Sequence, residues 1–110
     1  MSDFDRFCEA YQACAVWATA QGSLEGYPIH ENTLAAMEQD CQDFVLANYR
    51  DLAAHGTPEQ GGHDFWLSRN RHGTGFWDRG TGEVGDRLYE AAKLYGTVDV
   101  YLGDDNYVYA

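Results

Sequence analysis

Residues 63–80, HDFWLSRNRHGTGFWDRG, gather two Trp, two Phe, two His and three Arg in a chain of formal net charge −11. Several kinds of chemistry draw on such residues. A platform for a planar ligand or a base needs exposed rings beside hydrogen-bond donors, which Trp66 and Trp77 with Arg69, Arg71, His72 and Arg79 supply. A zinc site would use His63, His72, Asp64 and Asp78. A nucleophile needs a hydroxyl or thiol held by a base, and Ser68 lies close to His72 in sequence. No wider motif supports the last two. There is no Gly-x-Ser-x-Gly elbow, no phosphate-binding loop and no dinucleotide fingerprint, so GTGEVG and GTGFWDRGTG read as turns. The sequence therefore assigns no catalytic residue, no metal ligand and no cofactor. Its binding candidates are Trp66, Trp77, Arg69, Arg71, His72 and Arg79.

The elements that must position these residues follow from periodicity. DFWLSR and TGFWDR are short and aromatic, and NRHG between them suits a four-residue hairpin loop closed by Gly73. In that register Arg69 faces Thr74, Ser68 faces Gly75, Leu67 faces Phe76, Trp66 faces Trp77, Phe65 faces Asp78 and Asp64 faces Arg79. His63 and His72 would then lie at opposite ends of a strand, roughly 20 Å apart, too far to share an ion. If one face of the hairpin stays open, the Trp pair is a stacking platform; if it is covered, both rings are core.

Before this stretch, Phe4, Phe7, Cys8, Tyr11, Cys14, Ala15 and Ala18 recur at helical steps behind a Ser2 or Asp3 cap, ending at Gly22. A second helix over 33–54 carries Leu34, Met37, Cys41, Phe44, Val45 and Leu52 on one stripe. His55-Gly56 and Pro58 stop it, with Gly56 as a left-handed cap. A third helix starts near Glu83, runs through Val84, Leu88, Ala91, Ala92 and Tyr95, and ends at Gly96. Residues 97–109 alternate and turn at Gly103-Asp104-Asp105-Asn106, predicting a second hairpin. The expected fold is α+β: two N-terminal helices, then a ββ-α-ββ half forming a four-stranded, mainly antiparallel sheet. The chain reads as one domain over 1–110, with an acidic helical part at 1–56 and the aromatic hairpin, helix and C-terminal hairpin at 62–110.

Acids dominate the first half, nine against two bases over 1–55, and Glu38, Asp40, Asp43 and Asp51 form a candidate acidic surface on the second helix. Such charge favours basic partners and disfavours nucleic acid and anionic membranes. Solvation of an amphipathic helix explains the same carboxylates. Cys8, Cys14 and Cys41 are an odd set without a paired spacing, which suits buried thiols in a reducing compartment. Asp104 and Asp105 lack the spacing of a calcium loop and read as turn residues. No signal peptide or spanning segment is evident, so no membrane role is expected.

GHDFWLSRNRHGTGFWDRG, residues 62–80, together with residues 82–109, resembles a widespread group of small bacteriophage proteins. In that group a Gly-His-Asp-Phe-Trp-Leu segment leads into Gly-Phe-Trp-Asp-Arg-Gly, a helix and a Gly-Asp-Asp turn. Arg71 stands where many members carry Gly. The resemblance implies a phage protein acting in the cytoplasm of the host bacterium, and it implies no catalytic role. The leading expectation is a non-enzymatic interaction protein binding a host or phage macromolecule, of a host-takeover, anti-defence or DNA-mimic kind. Its partner is expected to be a protein, such as a basic nucleic-acid-binding one. The alternative is a binding module for single-stranded nucleic acid or a planar ligand through the Trp/Arg hairpin.

Overall fold

Ser2 opens the chain's first helix, α1 (Asp3–Ala18), by a reciprocal cap: its hydroxyl accepts from Asp5 N at 3.0 Å, and the Asp5 carboxylate accepts from Ser2 N. The computed structural model describes residues 1–72 and 74–110, and the side chains of these except Ala20, Gln21 and Asp78. The stripe of α1 buries Phe7, Cys8, Tyr11, Cys14 and Ala15, and a 3₁₀ turn at Thr19–Gly22 ends the helix. Helix α2 (Glu31–His55) starts behind His30, whose Nδ1 accepts from Asn32 N. It buries Met37, Cys41 and Phe44, and bends at Asn48, which leaves helical geometry and donates its side-chain amide to Phe44 O. Gly56 stops α2 as expected, but in an extended conformation (φ 166°) and not a left-handed one.

The main correction concerns 58–69. The aromatic stretch expected as the first strand of a hairpin is helix α3 (Pro58–Arg69). Pro58 serves as a helix start, since its missing N–H costs nothing at the first position, and Thr57 accepts from Gln60 N at 3.2 Å as the cap. Asp64, Phe65, Trp66, Leu67, Ser68 and Arg69 are all buried, so the last turns of α3 are covered all round, while nearer its start Glu59 is exposed and Gln60 and His63 are half-buried. Turns so placed have no polar face to give a 3.6-residue period, and their aromatic run imitates a strand. The covering is close. A Cβ on Gly62 would lie 2.0 Å from Phe7 O, so the backbones of α1 and α3 touch there.

After α3, Arg71 takes the left-handed region (φ 57°), where glycine is at ease. The chain returns along α3 through Gly75 and a 3₁₀ turn at Phe76–Asp78. Two residue pairs expected across the hairpin are close all the same, by helix against return segment. Arg79 Nη2 donates to Asp64 Oδ1 at 2.8 Å, and a Cβ on Gly75 would meet Ser68 Oγ. Trp66 and Trp77 do not pair: Trp66 packs edge-on to Tyr11, and Trp77 lies beside Tyr89. The expected closure at Gly73 and the Asp78 side chain lie outside the described residues.

Helix α4 (Glu83–Lys93) buries Gly85, Leu88 and Ala92. The C-terminal hairpin is present as β1 (Tyr101–Leu102) and β2 (Val108–Tyr109), antiparallel with Tyr101 opposite Tyr109. Val108 also bridges Ile29 in parallel, donating to Pro28 O and accepting from His30 N. Among the described residues no other strand forms. The fold is therefore four helices with a two-stranded sheet, not a four-stranded α+β sheet. Phe7, Tyr11, Phe44, Phe65, Phe76 and Leu88 centre the core, with Phe44 stacked on Phe65 at 4.1 Å.

Candidate functional site: a groove over a buried carboxylate

Asp64 is wholly buried, so its oxygens must find donors inside the protein. Three elements supply them. Gln60, one turn earlier in α3, donates Nε2 to Oδ1 at 3.0 Å. Arg79, from the return segment, gives Nη2 and Nε to Oδ1 at 2.8 and 3.1 Å. His55, the last residue of α2, places Nε2 2.8 Å from Oδ2. Its Nδ1 lies 3.0 Å from the hydroxyl of Thr81, just before α4. Every partner is satisfied when Nε2–H donates to Asp64 and Nδ1 accepts from Thr81. This hydroxyl–imidazole–carboxylate chain has the partners of a nucleophilic triad, but the His55 side chain is 1% exposed. Neither His55 nor Thr81 lines the cavities described next. It is a clamp joining α2, α3, the return segment and α4.

Above the clamp, two adjoining cavities of about 600 and about 520 Å³ share Trp17, His63 and Arg79 and form one groove. Ala10 and Ala13 of α1 form part of its wall with Thr57 and Gln60, and His72 and Thr74 line the far end. Trp17 is 57% exposed, its ring 6.0 Å from that of His63 at 37°. His63 Nδ1 is buried without a hydrogen-bond partner among the described residues, 3.7 Å from Asp64 Oδ1. Burial and the nearby Asp64 charge push the Cys14 thiol in the groove wall up to about 12. Cys8 and Cys41 share a hydrogen bond that lowers the first thiol's pKa and raises the second's.

The structure distributes the sequence's candidates unevenly. Arg79 and His72 line the groove, and His63 joins them: the helix brings together two histidines that the hairpin register kept apart. Among the described residues no group of three His, Cys, Asp or Glu side chains is arranged to hold a metal ion. Trp66 and Arg69 are core residues, 2% and 4% exposed. Arg69 donates to Asp40 at 2.7 Å, to Tyr11 Oη, and to the carbonyls of Tyr95 and Gly96 after α4, while lying over the Phe65 and Tyr95 rings. Arg71 and Trp77 are exposed outside the groove lining. Ser68 holds Phe76 N with its hydroxyl and does not engage His72.

Of the acidic set, Asp40 is paired with Arg69 and Asp51 with Arg87. Glu38 and Asp43 remain exposed, with Asp43 accepting from Gln39. Trp17 was missed by sequence reasoning. Its signal was readable: Ala10, Ala13 and Trp17 form a second stripe on α1 beside the buried one, and a Trp there marks a surface. His55 and Thr81 had no such signal, because their roles arise only once α3 is a helix.

The fold and site define a small, mainly helical protein with a surface groove lying over a buried carboxylate held by Gln60, Arg79 and His55. Comparison with protein-family models, curated proteins and solved structures finds no match for the chain. No helix is long and apolar enough to cross a membrane.

Proposed function

We propose that the protein is a non-enzymatic binding module whose α1–α3 groove takes a planar ligand bearing an anionic group, with a nucleotide as the natural probe. The observation that carries this reading is the exposed Trp17 ring beside the half-exposed His63 ring, whose buried Nδ1 lies towards Asp64 and whose other edge is left for a ligand. A planar ring stacks on the indole and receives a hydrogen bond from His63. Arg79, fixed in place by Asp64, and His72 meet the anionic group. A guanidinium anchored by a buried carboxylate is preorganised, so little side-chain freedom is lost on binding. His55 and Thr81 of the clamp do not line the groove, and this reading gives them no catalytic part. Action inside an infected bacterium, which the sequence resemblance to phage proteins implies, is part of the same proposal.

Titration with mononucleotides at low salt should quench tryptophan fluorescence, and Trp17→Phe should remove most of the quenching while Trp77→Phe leaves it. Stacking of this kind is worth about 1–3 kcal/mol per base by alanine substitution, so Trp17→Ala, followed by calorimetry, should weaken binding at least about fivefold. Flat titrations, or quenching that Trp17→Phe leaves intact, would refute the reading.

A further inference from the structure

Away from the groove, the C-terminal hairpin carries an aromatic ladder that neither the core nor the proposed binding reading uses. Tyr101 of β1 stacks on Tyr109 of β2 with centroids 5.7 Å apart and planes 18° apart. Tyr109 in turn stacks on His30 at 4.8 Å and 22°, and Tyr107 meets the His30 ring edge-on at 5.7 Å. The backbone causes this alignment. Tyr101 lies opposite Tyr109, and Ile29 bridges Val108, so one residue from each of three adjacent segments projects on the same face. Two anchors hold the rings in place: His30 caps α2 through Nδ1, and the Tyr109 hydroxyl donates to Asp105 at 2.5 Å. The ladder's outer ring is open, since Tyr101 is 55% exposed. Beyond it, β1 has no strand on its free edge among the described residues.

The charge around this ladder is of one sign. Asp99, Asp104 and Asp105 are exposed in the hairpin and its approach, and Glu25 and Glu31 are exposed on either side of the Ile29–His30 segment. No Lys or Arg occurs over 94–110 or over 7–49. Stacked rings alone would serve a nucleobase equally well, but phosphates would meet the Asp105 carboxylate at Tyr109, on segments that carry further exposed carboxylates and no Lys or Arg. A guanidinium satisfies both features at once, because it stacks flat on a tyrosine face and pairs with carboxylates at the rim.

We propose that the Tyr101–Tyr109–His30 ladder is a docking surface for an arginine-bearing, extended segment of a basic partner protein, laid along the free edge of β1 with a guanidinium stacked on Tyr101. The probes are a short Arg-Gly peptide and its citrulline counterpart, which keeps the shape and loses the charge, followed by backbone and ring NMR shifts of the full chain. The Arg peptide should shift the resonances of Tyr101, Leu102, Tyr109 and His30, weaken with added salt, and bind at least about fivefold more tightly than the citrulline peptide. Tyr101→Ala should weaken it by about fivefold, and Tyr101→Phe should restore it. Equal binding of both peptides overturns the proposal. So do ladder shifts caused by an oligonucleotide and not by the peptide, or concentration-dependent self-association through β1. Mononucleotide quenching at Trp17 reports on the groove separately.

Discussion

Replacing Gly62 by Ala tests the close crossing on which the whole arrangement depends. In an isolated helix the change would stabilise by about 1 kcal/mol, because Ala is the better helix former. Here the added Cβ would lie 2.0 Å from Phe7 O, 2.9 Å from Phe7 C and 3.0 Å from Tyr11 N. These are backbone atoms of an intact helix and cannot rotate away. Restoring an ordinary contact of 3.4 Å from 2.0 Å requires α1 and α3 to separate by about 1.4 Å, which loosens the packing of Phe7 and Tyr11 against Phe65 and Trp66. Overpacking costs about 1–3 kcal/mol, and the loosened aromatic contacts add to it, so a net loss of about 2–4 kcal/mol is expected. That is a large part of the roughly 5–15 kcal/mol by which domains are stable. The neighbouring Gly61 is the control. A Cβ there would meet only side-chain atoms of Phe7 and Leu52, at 3.0 to 3.3 Å, and Gly61→Ala should stay within about 1 kcal/mol of the parent. Urea unfolding followed by far-ultraviolet circular dichroism and tryptophan fluorescence measures both. Equal stability of the two variants, within about 0.5 kcal/mol, would refute the reasoning.

Asp64→Asn leaves the Arg79 charge without its buried counterpart and should cost about 2–4 kcal/mol in the same assay, whereas Thr81→Val, which removes only the end of the chain, should cost about 1 kcal/mol. A loss for Asp64→Asn no greater than for Thr81→Val would dismiss the clamp. The Cys14 thiol, raised to about 12, should react slowly with iodoacetamide at pH 8 in the native protein and quickly in urea; prompt native labelling at Cys14 contradicts this. The bond to Asp105 raises the Tyr109 phenol to about 12, so its stabilising contribution holds below the unfolded value near 10 and is lost as pH rises through about 12. In an ultraviolet titration Tyr109 should ionise later than an ordinary tyrosine, as should Tyr11 and Tyr95, which burial raises, and Asp105→Asn should return only Tyr109 towards the ordinary range. Arg71→Gly relieves a left-handed side-chain position and should stabilise by a few tenths to about 1 kcal/mol, a gain visible as a higher urea midpoint.

The legible parts of the fold were those with one wet face. Helices α1, α2 and α4 each bury one stripe and expose the rest, and their sequence periods showed it; Ser2 and Gly56 marked a start and a stop. The C-terminal hairpin was legible from its Gly103–Asn106 turn. Helix α3 was not, because burial on every side of its last turns replaces the amphipathic pattern with a continuous mixture. Asp64 and Arg69 are buried polar residues beside Phe65, Trp66 and Leu67, and paired glycines that mark a close crossing read as a loop. Misplacing that helix misplaced the site. Arg79 and His72 line the groove, while Trp66 and Arg69, the most eye-catching residues of the segment, lie in the core.

A short helix enclosed by all the others has a consequence for how the molecule comes apart. Helix α3 packs against α1, α2, α4 and the return segment, and no one of these can leave without wetting Phe65, Trp66 or the Asp64 carboxylate. Partial openings that keep the rest native are therefore expensive, and the amides of α3 should exchange with solvent only through global unfolding. The chain is built like an arch around its keystone: it stands whole or not at all.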